Sequence, residues 1–228
     1  FVTLFGDEAG AGGRANGPSD GRSSSGWTGQ RLRDVCCGAG FEIEHLAGRP
    51  DDGGTAGFEL LLRRRFTLPD TVGEGMGLLV CGLNPSIYSA EVGVGFARPG
   101  NRFWPAALEA GLVSRDRDPR HALVHHGIGT TDLVKRPTRR ADELSSDEYT
   151  EGLHRVERLV EWLRPAVVCF VGLAGWRAAV DRKAGAGPQP DRIGGAAVYL
   201  MPSTSGLNAS SRLADLTDHL EAAAELGR

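Results

Sequence analysis

The stretch LLVCGLNPSIYSAEVGVGFARPGNRFW, residues 78–104, contains the pattern that decides the fold. It begins with an apolar run that shows no alternation, as in a strand buried on both faces of a parallel sheet. Asn84 and Pro85 follow that run in a loop, and Phe103 and Trp104 open a segment with a helical pattern. A buried strand, a polar loop and a helix in this order indicate an α/β unit.

The chain after Pro69 repeats this alternation of short apolar runs and amphipathic segments. We expect strands at residues 77–82, 127–134, 166–172 and 196–202, and helices at residues 102–110, 145–163, 174–182 and 212–226. Ser145 and Glu148 form a capping-box pattern at the start of the second helix, and Pro165 marks its end. We therefore predict an α/β fold, a three-layer α/β/α sandwich with a central, mainly parallel sheet of four or five strands.

The N-terminal part has a different composition, rich in Gly, Ser and Asp, with GAGGRANGPSDGRSSSG at residues 10–26 as the extreme case. Such a segment buries too little apolar surface to offset its ordering entropy. We predict a flexible Gly/Ser-rich tail at residues 1–57 and a folded domain at residues 58–228. The run FELLLRRRF at residues 58–66 fits either a helix or a strand.

Composition and cysteine usage narrow the class of protein. The chain has 228 residues, 40% of them hydrophobic, and a formal net charge of −3, so no overall basic excess points to a nucleic-acid partner. No apolar run approaches the roughly 20 residues of a membrane-spanning helix, so we expect a cytoplasmic protein with no membrane contact. Cys36, Cys37, Cys81 and Cys169 lack metal-ligand spacing, and we expect reduced thiols and no metal.

Several common active sites lack their sequence patterns. Neither G-x-G-x-x-G nor G-x-x-x-x-G-K-[ST] occurs, which argues against dinucleotide and P-loop sites. His121 and His125 are four residues apart without the H-E-x-x-H zinc pattern, and we interpret them as part of a surface helix end. Ser203 and Ser205 lack the G-x-S-x-G context of serine hydrolases.

Asn84, directly after the first strand of the alternating region, is the candidate catalytic residue. An amide is too weak a base to deprotonate water, but its carbonyl oxygen can hold a water molecule in place. This property suits a reaction with a cationic transition state that needs only a weak nucleophile, such as cleavage of an N-glycosidic bond. The alternative is that Asn84 and Pro85 only form a turn.

The residues around Asn84 also resemble a known family. GLNPS at residues 82–86 and FARPGNRFW at residues 96–104 are similar to the first motif of the mismatch-specific uracil-DNA glycosylase and thymine-DNA glycosylase family, within the uracil-DNA glycosylase superfamily. GTTDLVKRPT at residues 129–138 and PSTSGL at residues 202–207 are similar to two further segments of that family. The resemblance extends from about residue 68 to the C-terminus.

The resemblance implies roles for residues of a base pocket. Asn84 would hold the attacking water, and Phe96 would stack on the flipped pyrimidine, although a core role is the alternative for this ring. Ser89 matches the position that meets C5 of the pyrimidine, so it would affect whether a thymine methyl group is admitted. The other substrate-binding candidates are Gly82, Leu83, Ile87 and Ser203.

The resemblance also implies contacts with DNA. Leu207 would enter the duplex as a wedge, with Gly206 beside it and Asn208 adding a polar contact. Basic residues outnumber acidic ones between residues 98 and 140, so we expect phosphate contacts there, with Arg136 as a candidate. Gly172, before a predicted helix, is a second candidate through backbone N–H groups. A solvated loop is the alternative reading of Leu207 and Arg136.

Two residues depart from the family pattern. Ser86 replaces a glycine after the Asn-Pro pair, and Thr204 replaces a proline. Both lie near the expected pocket, so the base preference stays open, while the chemistry expected of Asn84 is not affected.

The resemblance, together with the chemistry expected of Asn84, implies a monofunctional DNA glycosylase, with its catalytic domain at residues 58–228. It would remove uracil, with thymine or damaged pyrimidines as further candidates, opposite guanine in double-stranded DNA, and so initiate base-excision repair. We expect base flipping, water attack at C1′, no cofactor or metal, and a monomer in the bacterial cytoplasm that associates with the nucleoid through DNA. The alternatives are a non-catalytic DNA-lesion-binding module and a glycosylase that prefers deaminated purines.

Overall fold

The computed structural model describes residues 2–4, 27–49 and 57–228, and the chain divides into two compact units. The first unit takes its described residues from Phe1–Cys37 and Phe41–Arg65, and the second consists of Gly38–Gly40 and Phe66–Arg228. The glycine-rich run at residues 10–26, on which the prediction of a tail chiefly rests, lies outside the described residues.

The first unit contains an antiparallel sheet and one helix. Its strands are β1 (Val2–Leu4), β2 (Phe41–Arg49) and β3 (Gly57–Arg64), in the order β1-β3-β2, and its helix is α1 (Gly29–Gly38). Leu32 and Cys36 of α1 are buried together with Leu60 of β3. A flexible tail through residue 57 is therefore wrong for residues 29–49, because their apolar side chains find a partner in β3. The undecided run at residues 58–66 supplies that strand.

The second unit is built on a five-stranded sheet in the order β5-β4-β6-β8-β7. Its strands are β4 (Leu78–Gly82), β5 (Ile128–Asp132), β6 (Val167–Val171), β7 (Gly187–Ile193) and β8 (Ala196–Met201). The four predicted strands are confirmed and are parallel to one another. The fifth strand, β7, was missed because its sequence GPQPDRI has no apolar pattern; it pairs antiparallel at the sheet edge, where proline is tolerated.

Helices lie between these strands and after β8. They are α2 (Ile87–Val92), α3 (Phe103–Glu109), α4 (Pro119–His126), α5 (Ser146–Leu163), α6 (Ala174–Ala179) and α7 (Leu213–Glu225), with a 3-10 turn at Ala141–Glu143. The four predicted helices are confirmed, three of them to within one residue at each end, whereas α6 stops short of residue 182. The capping box of Ser145 and Glu148 is present at the start of α5. The short helix α2 was not predicted, and Ser86 caps its N-terminus.

The apolar core lies on both faces of the sheet. Leu79 and Val168 pack on one face in a cluster that includes Val160 of α5. Val80 and Cys169 belong to the cluster on the other face, which includes residues of α3 and α7. Neighbouring residues of one strand thus enter opposite layers, which explains the lack of alternation in the strand sequences and confirms the three-layer α/β/α sandwich.

The parallel register brings the carboxyl ends of four strands to one edge of the sheet. Gly82 pairs with Asp132, and Val171 pairs with Met201. The loops that follow β4, β5 and β8 therefore begin side by side, which is where ligands bind in folds of this kind.

Cys36, Cys37, Cys81 and Cys169 are free thiols, and burial raises the pKa of Cys169 to about 12. Among the described residues, no helix is both long and apolar enough to cross a membrane.

Gly152 of α5 provides a test of the packing between α5 and the sheet. A Cβ atom at this position would overlap the carbonyl oxygen of Leu133. We expect Gly152→Ala to lower the free energy of unfolding by about 2–3 kcal/mol, measured by urea denaturation, although alanine favours a helix by about 1 kcal/mol. Gly185→Ala is the control, since a Cβ there meets nothing within 4 Å. Equal stability of the two variants would contradict this account of the packing.

Candidate active site

A cavity of about 180 Å³ opens at the carboxyl edge of the large sheet. The predicted site residues that line it are Gly82, Leu83, Asn84, Ser89, Phe96 and Ser203. The predicted residues that do not line it are Ile87, Arg136, Gly172, Gly206, Leu207 and Asn208. The structure therefore brings the expected base-pocket residues together, apart from Ile87, and places the expected DNA contacts outside the cavity.

Asn84 lies in the loop after β4, and two hydrogen bonds hold its side-chain amide. Nδ2 donates to the backbone carbonyl of Arg136 at 2.9 Å and to Oγ1 of Thr138 at 2.7 Å. A backbone carbonyl only accepts hydrogen bonds, so its contact identifies the nitrogen of the amide. The remaining polar atom is Oδ1, which can accept a hydrogen bond from a water molecule in the cavity.

The segment that accepts these hydrogen bonds is held by a buried group of charges. Asp70 Oδ1 lies 2.7 Å from Lys135 Nζ, and Asp70 Oδ2 lies 2.8 Å from Arg155 Nη1, with all three side chains less than 10% exposed. Burial alone would raise the pKa of Asp70, but the charges of Arg155 and Lys135 outweigh it and hold this pKa below its usual value. Lys135 is thereby fixed directly before Arg136, the residue whose carbonyl binds Asn84.

The guanidinium of Arg136 is engaged within the protein, whereas a residue that binds phosphate would be expected to have it free. Its guanidinium donates to both carboxylate oxygens of Glu148, at 2.7 and 2.9 Å, and to the carbonyl of Glu143 at 2.8 Å. The hydrogen bond from Arg136 is the main cause that lowers the pKa of Glu148 to about 2. A phosphate contact by Arg136 stays a prediction, and a phosphate would compete with this ion pair.

Phe96 forms one wall of the cavity. Its ring stacks on Phe103, with 4.3 Å between the ring centroids and 29° between the planes, and Phe103 is buried. The backbone of Phe96 has a φ of 57°, in the left-handed region that is unfavourable for a bulky residue. Holding the residue there costs on the order of 1 kcal/mol, so the surrounding structure maintains this ring against its backbone preference.

Ser86 and Ser89 are joined at the N-terminus of α2. The Ser86 hydroxyl accepts from the backbone N–H of Ser89 and donates to its Oγ, both at 3.1 Å. Ser86, which departs from the glycine of the motif that this sequence resembles, thus caps α2 and also lines the cavity. Ser89 is buried and lines the cavity, as its expected role requires.

Asp132 is a cavity residue that the sequence analysis did not select. It ends β5, and a Cβ atom built on Gly82 would overlap its Oδ1 and lie 3.4 Å from Cζ of Phe96. The carboxylate is therefore close to the aromatic wall, and only a residue without a side chain fits between them. Burial raises its pKa to about 6. The sequence did contain a signal that could have identified Asp132: it is an acidic residue at the end of a predicted buried strand, next to the predicted site.

Leu207 and Asn208 lie in the loop after β8. Leu207 is 82% exposed, more than the other large apolar side chains that the structure describes. The Asn208 side chain is used within the loop, where Nδ2 donates to the Ser203 carbonyl at 2.8 Å and Oδ1 accepts from Ser210 Oγ at 2.6 Å. The loop thus presents an apolar side chain to solvent and uses the amide of Asn208 to fix its own shape.

The backbone N–H of Gly172, which was expected to contact a phosphate, already has a partner within the protein. The Gly172 N–H donates to the carbonyl of Met201 at 2.9 Å, continuing the pairing of β6 with β8. Three other basic side chains, Arg98, Arg139 and Arg140, line the cavity and are exposed. In the part of the chain that the structure describes, no cluster of His, Cys, Asp and Glu is arranged to hold a metal ion.

Known proteins match this chain over the fold and the site region described above. A family model described as the uracil DNA glycosylase superfamily matches residues 69–226. The solution NMR structure of a protein from Methanosarcina acetivorans, described as a candidate uracil DNA glycosylase, matches with a TM-score of 0.50 and 22% sequence identity. The match covers 71% of this chain and 98% of that chain. The structural likeness supports the fold, and the family model bears on the activity.

The buried carboxylate of Asp132 makes the stability of the protein depend on pH. Its pKa is about 6 in the folded protein and about 3.9 in an unfolded chain. Above pH 6 the ionised group therefore destabilises the fold, by up to about 3 kcal/mol. We expect Asp132→Asn to be more stable than the wild type at pH 8, with an advantage that declines as the pH falls through 6 and nearly vanishes at pH 4.

Urea denaturation at pH 8, 6 and 4 measures this difference. Asp191→Asn, which changes an exposed carboxylate on β7, is the matched control. An Asp132→Asn variant that is less stable than the wild type at pH 8 would contradict the assignment of an unfavourable buried charge.

Proposed function

Because this chain belongs to the uracil DNA glycosylase superfamily, which implies a hydrolase of the DNA glycosylase type acting on uracil, we propose that it removes uracil opposite guanine in double-stranded DNA. We place it with the mismatch-specific and thymine-DNA glycosylases within the superfamily. The observation that carries the proposal is the fixed amide of Asn84 at the wall of the cavity, with both Nδ2 contacts made inside the protein.

The fixed amide supports a hydrolytic reaction. A water molecule that donates to Oδ1 of Asn84 is oriented but not deprotonated, so it attacks only when C1′ has already become cationic. The bond from C1′ to the base nitrogen breaks, a bond from C1′ to the water oxygen forms, and the base leaves with the electron pair. The water loses a proton to solvent after attack, the departing uracil anion takes up a proton from solvent, and the products are free uracil and an abasic sugar.

The residues of the cavity support a monofunctional reaction. A glycosylase that also cuts the strand needs an amine nucleophile, and none of the described residues lining this cavity is a lysine.

The ionised carboxylate of Asp132 favours positive charge nearby in a low-dielectric pocket, which suits a cationic sugar. The same carboxylate can accept an N–H of the base.

The position of Leu207 supports action on duplex DNA. An exposed apolar side chain on an ordered loop beside the cavity can fill the space that a flipped base leaves in the stack, and this offsets the cost of unstacking. Phe96, held on Phe103, offers a flat apolar surface for the extruded base. A module that only bound lesions would need the loop and the ring, but not the fixed amide.

Asn84→Ala tests the catalytic role. We expect the single-turnover rate on a G·U duplex to fall by a factor of about 10² to 10³, the usual effect of losing a preorganised polar contact to the reacting groups. Duplex binding, measured by fluorescence anisotropy, should remain, because the phosphate and loop contacts are unchanged. Gln189→Ala on β7 removes a side-chain amide outside the cavity and is the matched control.

The wild type is assayed beside these variants on G·U, G·T, A·U, single-stranded U and G·xanthine substrates. Binding of lesion duplexes without cleavage of any of them would replace the enzyme by a binding module. Cleavage of G·xanthine well above G·U would move the proposal to deaminated purines.

Thr138 tests whether the orientation of the amide matters. Thr138→Val removes one of the two acceptors for Asn84 Nδ2 with little change in volume, and we expect about a tenfold lower cleavage rate with unchanged DNA affinity. Thr138→Ser keeps the hydroxyl group and should keep most of the rate. Equal rates for the valine and serine variants would show that this hydrogen bond does not position the catalytic amide.

A further inference from the structure

The loop at residues 203–211, here called the wedge loop, carries Leu207 but has little regular structure of its own. It contains turns and lies between β8 and α7. Exposed loops of this kind are usually the most mobile parts of a protein. A mobile loop would have to become ordered each time Leu207 entered a duplex, and that ordering would weaken binding.

The side chain of Arg102 holds the wedge loop by hydrogen bonds to the loop backbone. Arg102 Nη2 donates to the carbonyl of Asn208 at 2.6 Å and to the carbonyl of Ser205 at 3.1 Å. Arg102 Nη1 donates to the carbonyl of Ser211. These carbonyls come from both sides of Leu207, so a single guanidinium spans the base of the loop.

The backbone beside Arg102 adds to this attachment. The N–H of Arg102 donates to the carbonyl of Thr204 at 2.9 Å. A Cβ atom on Gly206 would lie 2.7 Å from the carbonyl oxygen of Gly100, so the loop lies directly against this segment and only glycine fits there. The wedge loop is therefore docked on residues 100–102 by its backbone as well as by the guanidinium.

The hydrogen-bond acceptors of the Arg102 guanidinium are neutral backbone carbonyls. Among the described residues, the guanidinium of Arg102 donates to backbone carbonyls and forms no ion pair, and its Nε is enclosed without a hydrogen-bond partner. The positive charge under the loop is thus not cancelled, and it favours the approach of a phosphate backbone. A lysine would keep this charge, but one ammonium group has a different geometry from a planar fork with five donors.

Arg102 also connects the wedge loop to the pocket. It is the N-cap residue of α3, and Phe103, the first residue of that helix, is buried and stacks on Phe96. Two adjacent residues therefore support the ring expected to hold the flipped base and the loop expected to fill the space it leaves.

We propose that Arg102 is a positioning residue that preforms the wedge loop, so that Leu207 is ready to enter DNA before any DNA is bound. This inference rests on the proposed function in assigning Leu207 to base flipping. Arg102 itself touches neither the base nor the sugar and acts through Leu207. Its loss should reduce flipping in the duplex without altering the chemistry at Asn84.

The first measurement needs no DNA. Hydrogen exchange of the free protein compares the wild type with Arg102→Lys, and with Arg115→Lys as the matched control for an exposed arginine. We expect amide exchange at residues 205–211 to rise at least tenfold in Arg102→Lys, with no rise in β4 or β6 and none in the control. Unchanged exchange in the wedge loop of Arg102→Lys would overturn the proposal.

The second measurement follows base flipping without cleavage. In an Asn84→Ala background, 2-aminopurine placed next to uracil in a G·U duplex reports unstacking by its fluorescence. We expect Arg102→Lys and Leu207→Ala each to reduce the flipping signal about tenfold or more, and the double variant to be no worse than Leu207→Ala alone. Additive losses would show that Arg102 does not act through Leu207 and would overturn the proposal.

The two proposals fail in different ways. If the wild type cleaves nothing but its flipping signal still depends on both Arg102 and Leu207, the proposed glycosylase activity is refuted and the role of Arg102 is retained. Cleavage by the wild type with a flipping signal that ignores Arg102 would refute only the role of Arg102.

Discussion

The backbone pairing between β4 and β5 continues past the ends of both strands, and the candidate site depends on this continuation. The carbonyls of Gly82 and Leu83 accept hydrogen bonds from the N–H groups of Leu133 and Val134 at 2.8 and 2.9 Å. Further on, the Thr138 N–H donates to the carbonyl of Pro85 at 3.2 Å. The two loops therefore run side by side, and this brings the Asn84 amide within reach of its acceptors. A carboxamide on a separate loop would have several rotamers available, whereas this one is held in a single orientation.

Charge that is expensive to bury lies on both sides of this pairing. Asp70, Lys135 and Arg155 form a nearly solvent-free group in which one carboxylate contacts two cations, so the loss of any member would leave buried charge uncompensated. Asp132 is close by, and among the described residues its carboxylate has no such ion pair; burial raises its pKa. Arg155 Nη2 donates instead to the backbone carbonyl of Asp132 at 2.7 Å, which fixes the end of β5 and leaves the carboxylate directed to the cavity wall. Ion pairs thus lie next to the segment that fixes Asn84, whereas the carboxylate that lines the candidate site has a raised pKa.

Much of the second unit could be predicted from sequence because its elements have strong local signatures. The non-alternating strands, the capping box of α5 and the position of Asn84 after a buried strand follow from burial and topology, and the structure has all three. β7 was missed because pairing with a neighbouring strand, not local pattern, stabilises it, and in the first unit only the run at residues 58–66 was considered as a helix or strand. The partners of Arg136 and of the Gly172 N–H are set by tertiary contacts, so no spacing rule could reveal them. Asp132 was visible as a charge at the end of a strand, but its significance depends on burial, which one sequence does not report.

The left-handed backbone of Phe96 has a consequence for how this position can change over time. Glycine or asparagine would adopt the same φ of 57° with less backbone strain. Either replacement would remove the ring that stacks on Phe103 and walls the cavity. Backbone strain and side-chain packing therefore oppose each other at a single codon, and a variant without the ring would relax its backbone but lose one wall of the cavity.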